Sequence, residues 1–296
     1  MARMELGRVG IWTGNLDAQP IGRVPEIAAE LEELGYDALW LPEVAGRDPF
    51  VNASLVLGGT ERLLVATGIA TIYSRDPIAM ASVWKTLTDA FPDRFLLGLG
   101  VSHQPAVEGI RKHEYGPPLT AMREYLDGMD VAPYFATGPT AEPVRALAAL
   151  GPKMLALAAE RAIGAHPYFV PVEHTAIARE VMGPDAWLMP EQMAVLETDA
   201  SKARATARLA MAIYLTLPNY VNNLRRLGWG DDDFADGGSD RLVDAIVVWG
   251  DEAAVKARFD EHYAAGADHV CVQVLTESRI HLPMDAWRRL APALLA

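Results

Sequence analysis

The chain has 296 residues, of which 51% are hydrophobic, and its formal net charge is −13 at pH 7. This negative balance argues against nucleic acid as a partner, and no run of about 18 uncharged apolar residues predicts a membrane span. Glu5 and Arg8 interrupt what would be the apolar core of a signal peptide, and the single Cys271 has no internal partner for a disulfide. We therefore expect a cytoplasmic protein without a membrane segment.

Eight short apolar runs alternate with helical patterns along the chain. The runs are residues 8–13, 38–41, 64–70, 95–101, 144–149, 165–170, 193–196 and 269–275. They are nearly continuous instead of alternating with polar residues, which indicates a parallel sheet buried on both faces. The pattern predicts a (β/α)8 barrel in which residues 1–296 form a single domain, with the chemistry at the carboxyl ends of the strands.

Amphipathic segments lie between most of these runs. The predicted helices are residues 24–34, 76–91, 120–129, 201–227 and 251–265. Pro218 predicts a break in the fourth of them, and the acidic stretch around residues 231–238 reads as a surface loop. A doubly wound open sheet is the alternative fold, although the glycine-rich dinucleotide fingerprint is absent after the first strand.

The most informative segment covers residues 146–170, where an apolar strand runs into Leu150-Gly151-Pro152 and a helix begins. Proline suits the first helical position because no N–H is needed there, and glycine allows a ligand to approach the backbone closely. The free N–H groups and the helix dipole favour an anion, most often phosphate. The turn therefore predicts a phosphate-bearing cofactor, with an ordinary tight strand–helix turn as the alternative.

Glycines near the ends of the third, fourth and fifth predicted strands would let a flat ligand lie against bare backbone. Trp12, Tyr73 and Tyr168 stand at strand ends, where their rings would form walls around such a ligand. We expect a planar heterocycle at the centre of the barrel, with its phosphate near Gly151.

Four segments together point to a known family. They read VATGIATIYSRDPIAMA, DRFLLGLGVSH, LGPKMLALAAERAIGAH and WGDEAAVKARFDEHYAAGADHVCVQVL. From residue 7 to about residue 275 the chain resembles the luciferase-like flavin and deazaflavin oxidoreductases, particularly the members that use coenzyme F420, a deazaflavin hydride carrier. The resemblance implies a (β/α)8 barrel and a bulge at the end of the third strand, often with a non-proline cis peptide, within Gly68-Ile69-Ala70.

The resemblance also implies hydride transfer between a deazaflavin and a small organic substrate. The cofactor-binding candidates are Trp12, Gly68, Ile69, Ala70, Ser102, Leu150, Gly151, Pro152, Lys153, His166, Tyr168 and Phe169. Deazaflavin members often carry a carboxylate after strand four, where this chain has Ser102-His103. His103 is therefore the favoured proton donor or acceptor, since imidazole titrates near neutral pH, and Glu43 after the second strand is the second choice.

Two further interpretations of the same site stay open: an FMN-dependent monooxygenase in which reduced flavin captures oxygen, and a flavin-binding protein without catalytic activity. We expect His166 to contact the cofactor phosphate, Arg75 to form a salt bridge, and histidines such as His174 and His262 to lie at the surface. The sequence has no cluster with metal-ligand spacing, so no metal is expected. Relatives commonly form dimers, and residues 51–57 and 78–87 offer apolar surface for a homodimer.

Overall fold

The structure is a computed structural model that describes residues 4–278 and 280–296. Its strands are β1 (Val9–Trp12), β2 (Ala38–Leu41), β3 (Leu64–Thr67), β4 (Ala70–Thr71), β5 (Phe95–Gly100), β6 (Val144–Leu147), β7 (Gly164–Ala165), β8 (Trp187–Leu188), β9 (Glu191–Val195), β10 (Val247–Trp249) and β11 (Val270–Val274). Its helices are α1 (Val24–Glu33), α2 (Pro49–Gly58), α3 (Pro77–Ala90), α4 (Pro118–Asp130), α5 (Pro152–Arg161), α6 (Val172–Met182), α7 (Ala200–Tyr214), α8 (Pro218–Arg226), α9 (Asp231–Phe234), α10 (Asp240–Ile246), α11 (Glu252–Ala264) and α12 (Met284–Leu294).

The parallel sheet closes into a ring. Pairing runs from β9 through β11, β1, β2, β3, β5, β6 and β7 to β8. Only Met189 and Pro190 separate β8 from β9, so both ends of this path belong to one stretch of chain. The closed ring confirms the predicted (β/α)8 barrel and excludes the open doubly wound sheet.

Side chains alternate between the two faces of the ring, and both faces are buried. In β2, Leu39 and Leu41 pack outward in the large core under the helices, whereas Ala38 and Trp40 belong to a smaller cluster that includes Leu96 of β5. Burial on both faces is the physical reason for the continuous apolar runs in the sequence.

The third predicted strand is interrupted where the bulge was expected. The peptide bond between Gly68 and Ile69 is cis, and it separates β3 from β4. After the interruption Ala70 pairs with Leu99 of β5. The bulge therefore turns the backbone at the carboxyl end of the barrel, as the resemblance implied.

Other elements differ from the prediction. The sixth predicted strand, residues 165–170, forms ladder pairs only at Ala165, and the observed β7 begins one residue earlier, at Gly164. Pairing stops because Pro167 has no N–H to donate and Phe169 adopts a left-handed backbone with φ of 59°. Strand β10 and helices α2, α6 and α12 were not predicted, and the expected surface loop contains the short helix α9. Pro218 begins α8, which confirms the predicted break.

Helices α7, α8 and α10 pack on one side of the barrel through a second apolar cluster. Phe169 and Met193 contribute to this cluster from the barrel, and Met211, Leu224 and Leu242 contribute from the helices. This packing places α8 beside the carboxyl ends of the strands. None of the described helices is long and apolar enough to cross a membrane.

The homodimer stays a prediction, and two exposed apolar side chains on α2 and α3 allow it to be tested by mutation. Val51 of α2 and Ile78 of α3 are 57% and 52% exposed. We expect light scattering at micromolar concentration to give a mass of twice 32.1 kDa. Val51→Glu combined with Ile78→Glu should shift the protein toward the monomer, whereas Ile177→Glu on α6 should not. A wild-type mass of 32.1 kDa would contradict the dimer.

Candidate active site

A cavity of about 730 Å³ opens at the carboxyl ends of the strands. The predicted site residues that line it are Trp12, Glu43, Gly68, Ile69, Ser102, His103, Leu150, Gly151, Pro152, Lys153, His166 and Tyr168. They lie at or just after the carboxyl ends of six strands of the ring, because parallel strands bring all these ends to one side.

Three predicted residues do not line this cavity. Ala70 is buried in the large core, and Phe169 packs in the second cluster, against Tyr214 and Tyr220. Tyr73, expected as a ring wall, lies behind the lining residue Tyr115 with ring centroids 5.8 Å apart. The side chains of these three residues pack in or against the hydrophobic clusters instead.

The bulge at Gly68-Ile69 is held by hydrogen bonds from neighbouring strands. The indole Nε1–H of Trp12 donates to the Gly68 carbonyl at 2.8 Å, and the backbone N–H of Glu43 donates to the Ile69 carbonyl at 3.3 Å. The Thr71 N–H in turn donates to Oε2 of Glu43 at 2.8 Å. These bonds fix the bare backbone that forms one wall of the cavity.

Both carboxylate oxygens of Glu43 are occupied. Oε1 accepts from Nη1 of Arg75 at 2.7 Å, and the same guanidinium pairs with Asp48. The expected salt-bridge role of Arg75 is therefore seen. Glu43 makes no hydrogen bond to His103, because its carboxylate is engaged by Arg75 and by the backbone after the bulge.

His103 follows β5 directly after Ser102, whose backbone is left-handed with φ of 55°. Its Nδ1–H donates to Oδ1 of Asn219 on α8 at 3.1 Å. An amide oxygen can only accept, so Nδ1 carries the hydrogen and Nε2 is the basic atom of the neutral ring. Burial lowers the pKa of His103, and the hydrogen bond to Asn219 partly opposes this shift.

The predicted anion site lies where α5 begins. Gly151 is the N-cap, and a Cβ at this position would lie 3.3 Å from Nη2 of Arg226 on α8. Nη2 of Arg226 also donates to Oδ1 of Asn223 at 3.0 Å. No carboxylate among the described residues pairs with Arg226. The turn therefore combines a helix N-terminus, exposed glycine backbone and an unneutralised guanidinium.

His174 supports this turn from behind. Its Nε2–H donates to the Leu150 carbonyl at 2.8 Å, and the side chain is buried. His262 is also buried, between Thr175 and Gln192. Both histidines were expected at the surface, and this expectation is wrong because each lies on the buried face of its helix and finds a polar partner there.

His166 lies deeper in the barrel than its predicted role requires. Its Nδ1–H donates to the Met189 carbonyl at 2.7 Å, and its ring stacks on Trp40 with centroids 4.2 Å apart. Burial lowers the pKa of His166 to about 4, so the ring is neutral at pH 7. It supplies no positive charge for a phosphate, and Arg226 is the better candidate.

Tyr168 forms a fixed aromatic wall. Its hydroxyl donates to Oε1 of Gln273 at 2.8 Å and accepts from the hydroxyl of Tyr214 at 2.7 Å. The ring lies 5.1 Å from that of Trp12. Trp12 and Tyr168 therefore wall the cavity together, as the sequence predicted.

Comparison with known proteins gives the family. The luciferase-like monooxygenase family matches residues 6–269. The chain belongs to this family.

Proteins similar to this chain in sequence or in fold are named for different cofactors. A Mycobacterium tuberculosis protein provisionally named a coenzyme F420-dependent oxidoreductase is 26% identical, over 91% of this chain and 96% of its own. An F420-dependent secondary alcohol dehydrogenase solved with an F420–acetone adduct has a TM-score of 0.79 at 13% identity, covering 98% and 99% of the two chains. The oxygenating constituent of 3,6-diketocamphane monooxygenase from Pseudomonas putida, solved with FMN, has a TM-score of 0.67 at 15% identity, covering 96% of each chain.

Within this luciferase-like fold, several lining residues were missed from the sequence. Arg111 and Tyr115 follow β5 at a distance, and Asn219, Tyr220 and Arg226 come from α8. Helix α8 is polar and begins at a proline, but neither signal shows that it lies over the barrel. Among the described residues, no group of His, Cys, Asp or Glu side chains could hold a metal ion.

The contacts of Glu43 predict a structural effect. Glu43→Gln should lower the free energy of unfolding by about 1–3 kcal/mol, because the half-buried Arg75 loses a charged partner. Urea unfolding followed by tryptophan fluorescence measures this change. Glu26→Gln removes the exposed partner of Arg23 and should have a much smaller effect. Equal effects in the two variants would contradict a positioning role for Glu43.

Proposed function

We propose that this chain is an oxidoreductase that uses coenzyme F420 to transfer a hydride to or from a small organic substrate. One observation carries the proposal: the cavity has the N-terminus of α5 at Gly151, beside Arg226, on one side and His103 on its wall after the adjacent strand β5. The alcohol dehydrogenase and the mycobacterial protein, both named for F420, support the choice of cofactor.

The residues at the turn fit a phosphate-bearing cofactor. Gly151 leaves room for close approach, and the guanidinium of Arg226 lies beside it without a carboxylate partner among the described residues. Trp12, Tyr168 and the Gly68-Ile69 backbone provide the walls for a planar ring. When bound, the deazaflavin supplies a carbon centre that donates or accepts a hydride.

His103 accepts or donates the proton that accompanies hydride transfer. Because Asn219 holds the hydrogen on Nδ1, the Nε2 lone pair of the neutral ring accepts a proton from a substrate hydroxyl during oxidation and returns it during reduction. The lowered pKa keeps the ring neutral at pH 7. Because burial lowers its pKa, the His103 ring is neutral and can act as a base.

An FMN-dependent monooxygenase is the second candidate. The Gly151 turn suits the FMN phosphate equally well, and the camphane enzyme was solved with FMN. A non-catalytic flavin-binding protein is less well supported, because His103 and Glu43 both line the cavity.

The cofactor placement is tested by Gly151→Val. The backbone at Gly151, with φ of −84° and ψ of 156°, accepts a β-branched residue, but the new side chain displaces Arg226 and blocks the turn. We expect at least tenfold weaker binding, about 1.4 kcal/mol, in titrations with coenzyme F420 and with FMN. Arg226→Gln should act in the same direction.

Gly138→Val is the matched control, since nothing lies within 4 Å of a Cβ at Gly138. Unchanged F420 affinity in a folded Gly151→Val protein would refute this placement. Tight binding of FMN together with no binding of F420 would favour the monooxygenase.

The proton role is tested by His103→Ala. Losing a general acid or base costs about 10²–10⁴ in rate, so we expect turnover to fall at least a hundredfold, while F420 affinity changes less than tenfold. Glu43→Gln should lower turnover less. Full turnover in His103→Ala would show that His103 is not the general acid or base, and solvent or the Ser102 hydroxyl with a bound water would become the candidate.

The pH profile gives an independent test. If His103 acts as base in substrate oxidation, kcat/KM falls as the pH drops through its pKa, below the ordinary value of about 6.5. Asn219→Ala removes a hydrogen bond that raises this pKa, so the acidic limb should move to lower pH. A profile that is identical in the two proteins would argue against His103 as the titrating group.

A further inference from the structure

The side chains that line the cavity carry mainly positive charge, whereas the chain as a whole is negatively charged. Arg111, Lys153 and Arg226 line it, and Glu43 is the one carboxylate among the described lining residues. Glu43 is already neutralised by Arg75. A chain with a net charge of −13 therefore surrounds this cavity with positive groups. Such local charge favours anionic ligands.

Arg111 is the positive group that a cofactor phosphate at Gly151 does not explain. It follows the π-helical turn Pro105–Ile110, and its Nη2–H donates to the Val44 carbonyl at 3.1 Å. No carboxylate in the described part of the chain pairs with it, although arginines elsewhere, such as Arg145 and Arg204, have such partners. One of the five N–H donors of this guanidinium is thus used by the protein.

Arg111 lies on a different side of the cavity mouth from the anion-binding turn. Its partner Val44 follows β2, and Gly151 follows β6. In the ring, β3 and β5 stand between these two strands. A phosphate held at Gly151 therefore leaves the guanidinium of Arg111 to a second anionic group.

The surroundings of Arg111 are apolar. Val44, whose carbonyl Arg111 contacts, and Ile110, its neighbour in the chain, line the cavity and are 72% and 65% exposed. A ligand whose charge meets Arg111 would lay a carbon skeleton against these side chains. Covering this much exposed apolar surface stabilises binding through the hydrophobic effect.

We propose that the substrate is an organic carboxylate, whose carboxyl group Arg111 binds and whose apolar carbon skeleton packs on Val44 and Ile110. The planar fork of a guanidinium matches a carboxylate with two parallel hydrogen bonds. The inference rests on the proposed function in one respect, that substrate enters the cavity that holds the cofactor.

The test uses matched pairs of acids and neutral amides. Protein saturated with coenzyme F420 is titrated by calorimetry with hexanoate and hexanamide, and with benzoate and benzamide. We expect at least one acid to bind about tenfold or more tighter than its amide, because hydrogen bonds to charged groups are the stronger ones. Arg111→Gln should remove this preference and leave amide binding within twofold.

Matched variants separate charge from geometry and from general effects. Arg111→Lys keeps the charge without the fork, so it should retain part of the preference. Arg123→Gln, which removes an exposed arginine paired with Glu160, should change nothing. Unchanged F420 affinity shows that Arg111→Gln is folded, and Arg226→Gln should weaken F420 binding without altering the preference for acids.

The outcomes distinguish this inference from the proposed function. If F420 fails to bind but the preference and its dependence on Arg111 persist in the cofactor-free protein, the cofactor proposal fails and the carboxylate site stands. If F420 binds but no acid is preferred, or the preference survives in Arg111→Gln, the carboxylate site is refuted. Absence of binding by every probe likewise counts against it.

Discussion

The closure of the parallel ring is the constraint on which the rest of the molecule depends. One stretch of chain supplies β8, which pairs with β7, and β9, which pairs with β11. This double pairing joins the two ends of the sheet and brings all carboxyl ends of the strands to one mouth. Residues as distant in sequence as Trp12, His103 and Tyr168 therefore share one cavity wall.

The interior beneath that mouth is mainly apolar, and the ionisable side chains of His166, Glu191 and His269 are buried in it. Burial lowers the pKa of His269 to about 3 and raises that of Glu191 to about 8, so both are mainly neutral at pH 7. Trp40 links this layer, because its Nε1–H donates to Nε2 of His269 and its ring stacks on His166. The charge that a ligand meets consequently comes from Arg111, Lys153 and Arg226 at the mouth, where water is partly excluded and each charge acts more strongly than on the open surface.

Two kinds of arginine surround the site, and their partners separate their roles. Arg75 forms ion pairs with Glu43 and Asp48. Through Glu43, which accepts from the Thr71 N–H, it supports the backbone near the bulge. Arg111 and Arg226 contact neutral oxygens of Val44 and Asn223 instead. No carboxylate among the described residues pairs with either of these two, so their donors are left for a ligand. This is the basis for proposing a cofactor phosphate at Arg226 and a substrate carboxylate at Arg111.

The sequence by itself determined the features whose causes are local. Burial on both faces requires the continuous apolar runs that predicted the barrel, and the Gly151-Pro152 turn predicted the start of α5. Motif resemblance located the bulge at Gly68-Ile69. Only the tertiary structure decided which partners those residues meet. Asn219 and Arg226 reach the site because α8 packs on the barrel through apolar side chains such as Leu224, and Glu43 is taken by Arg75 because the bulge brings them together. Such contacts join residues far apart in the chain, and no local periodicity records which distant side chain will lie within 3 Å.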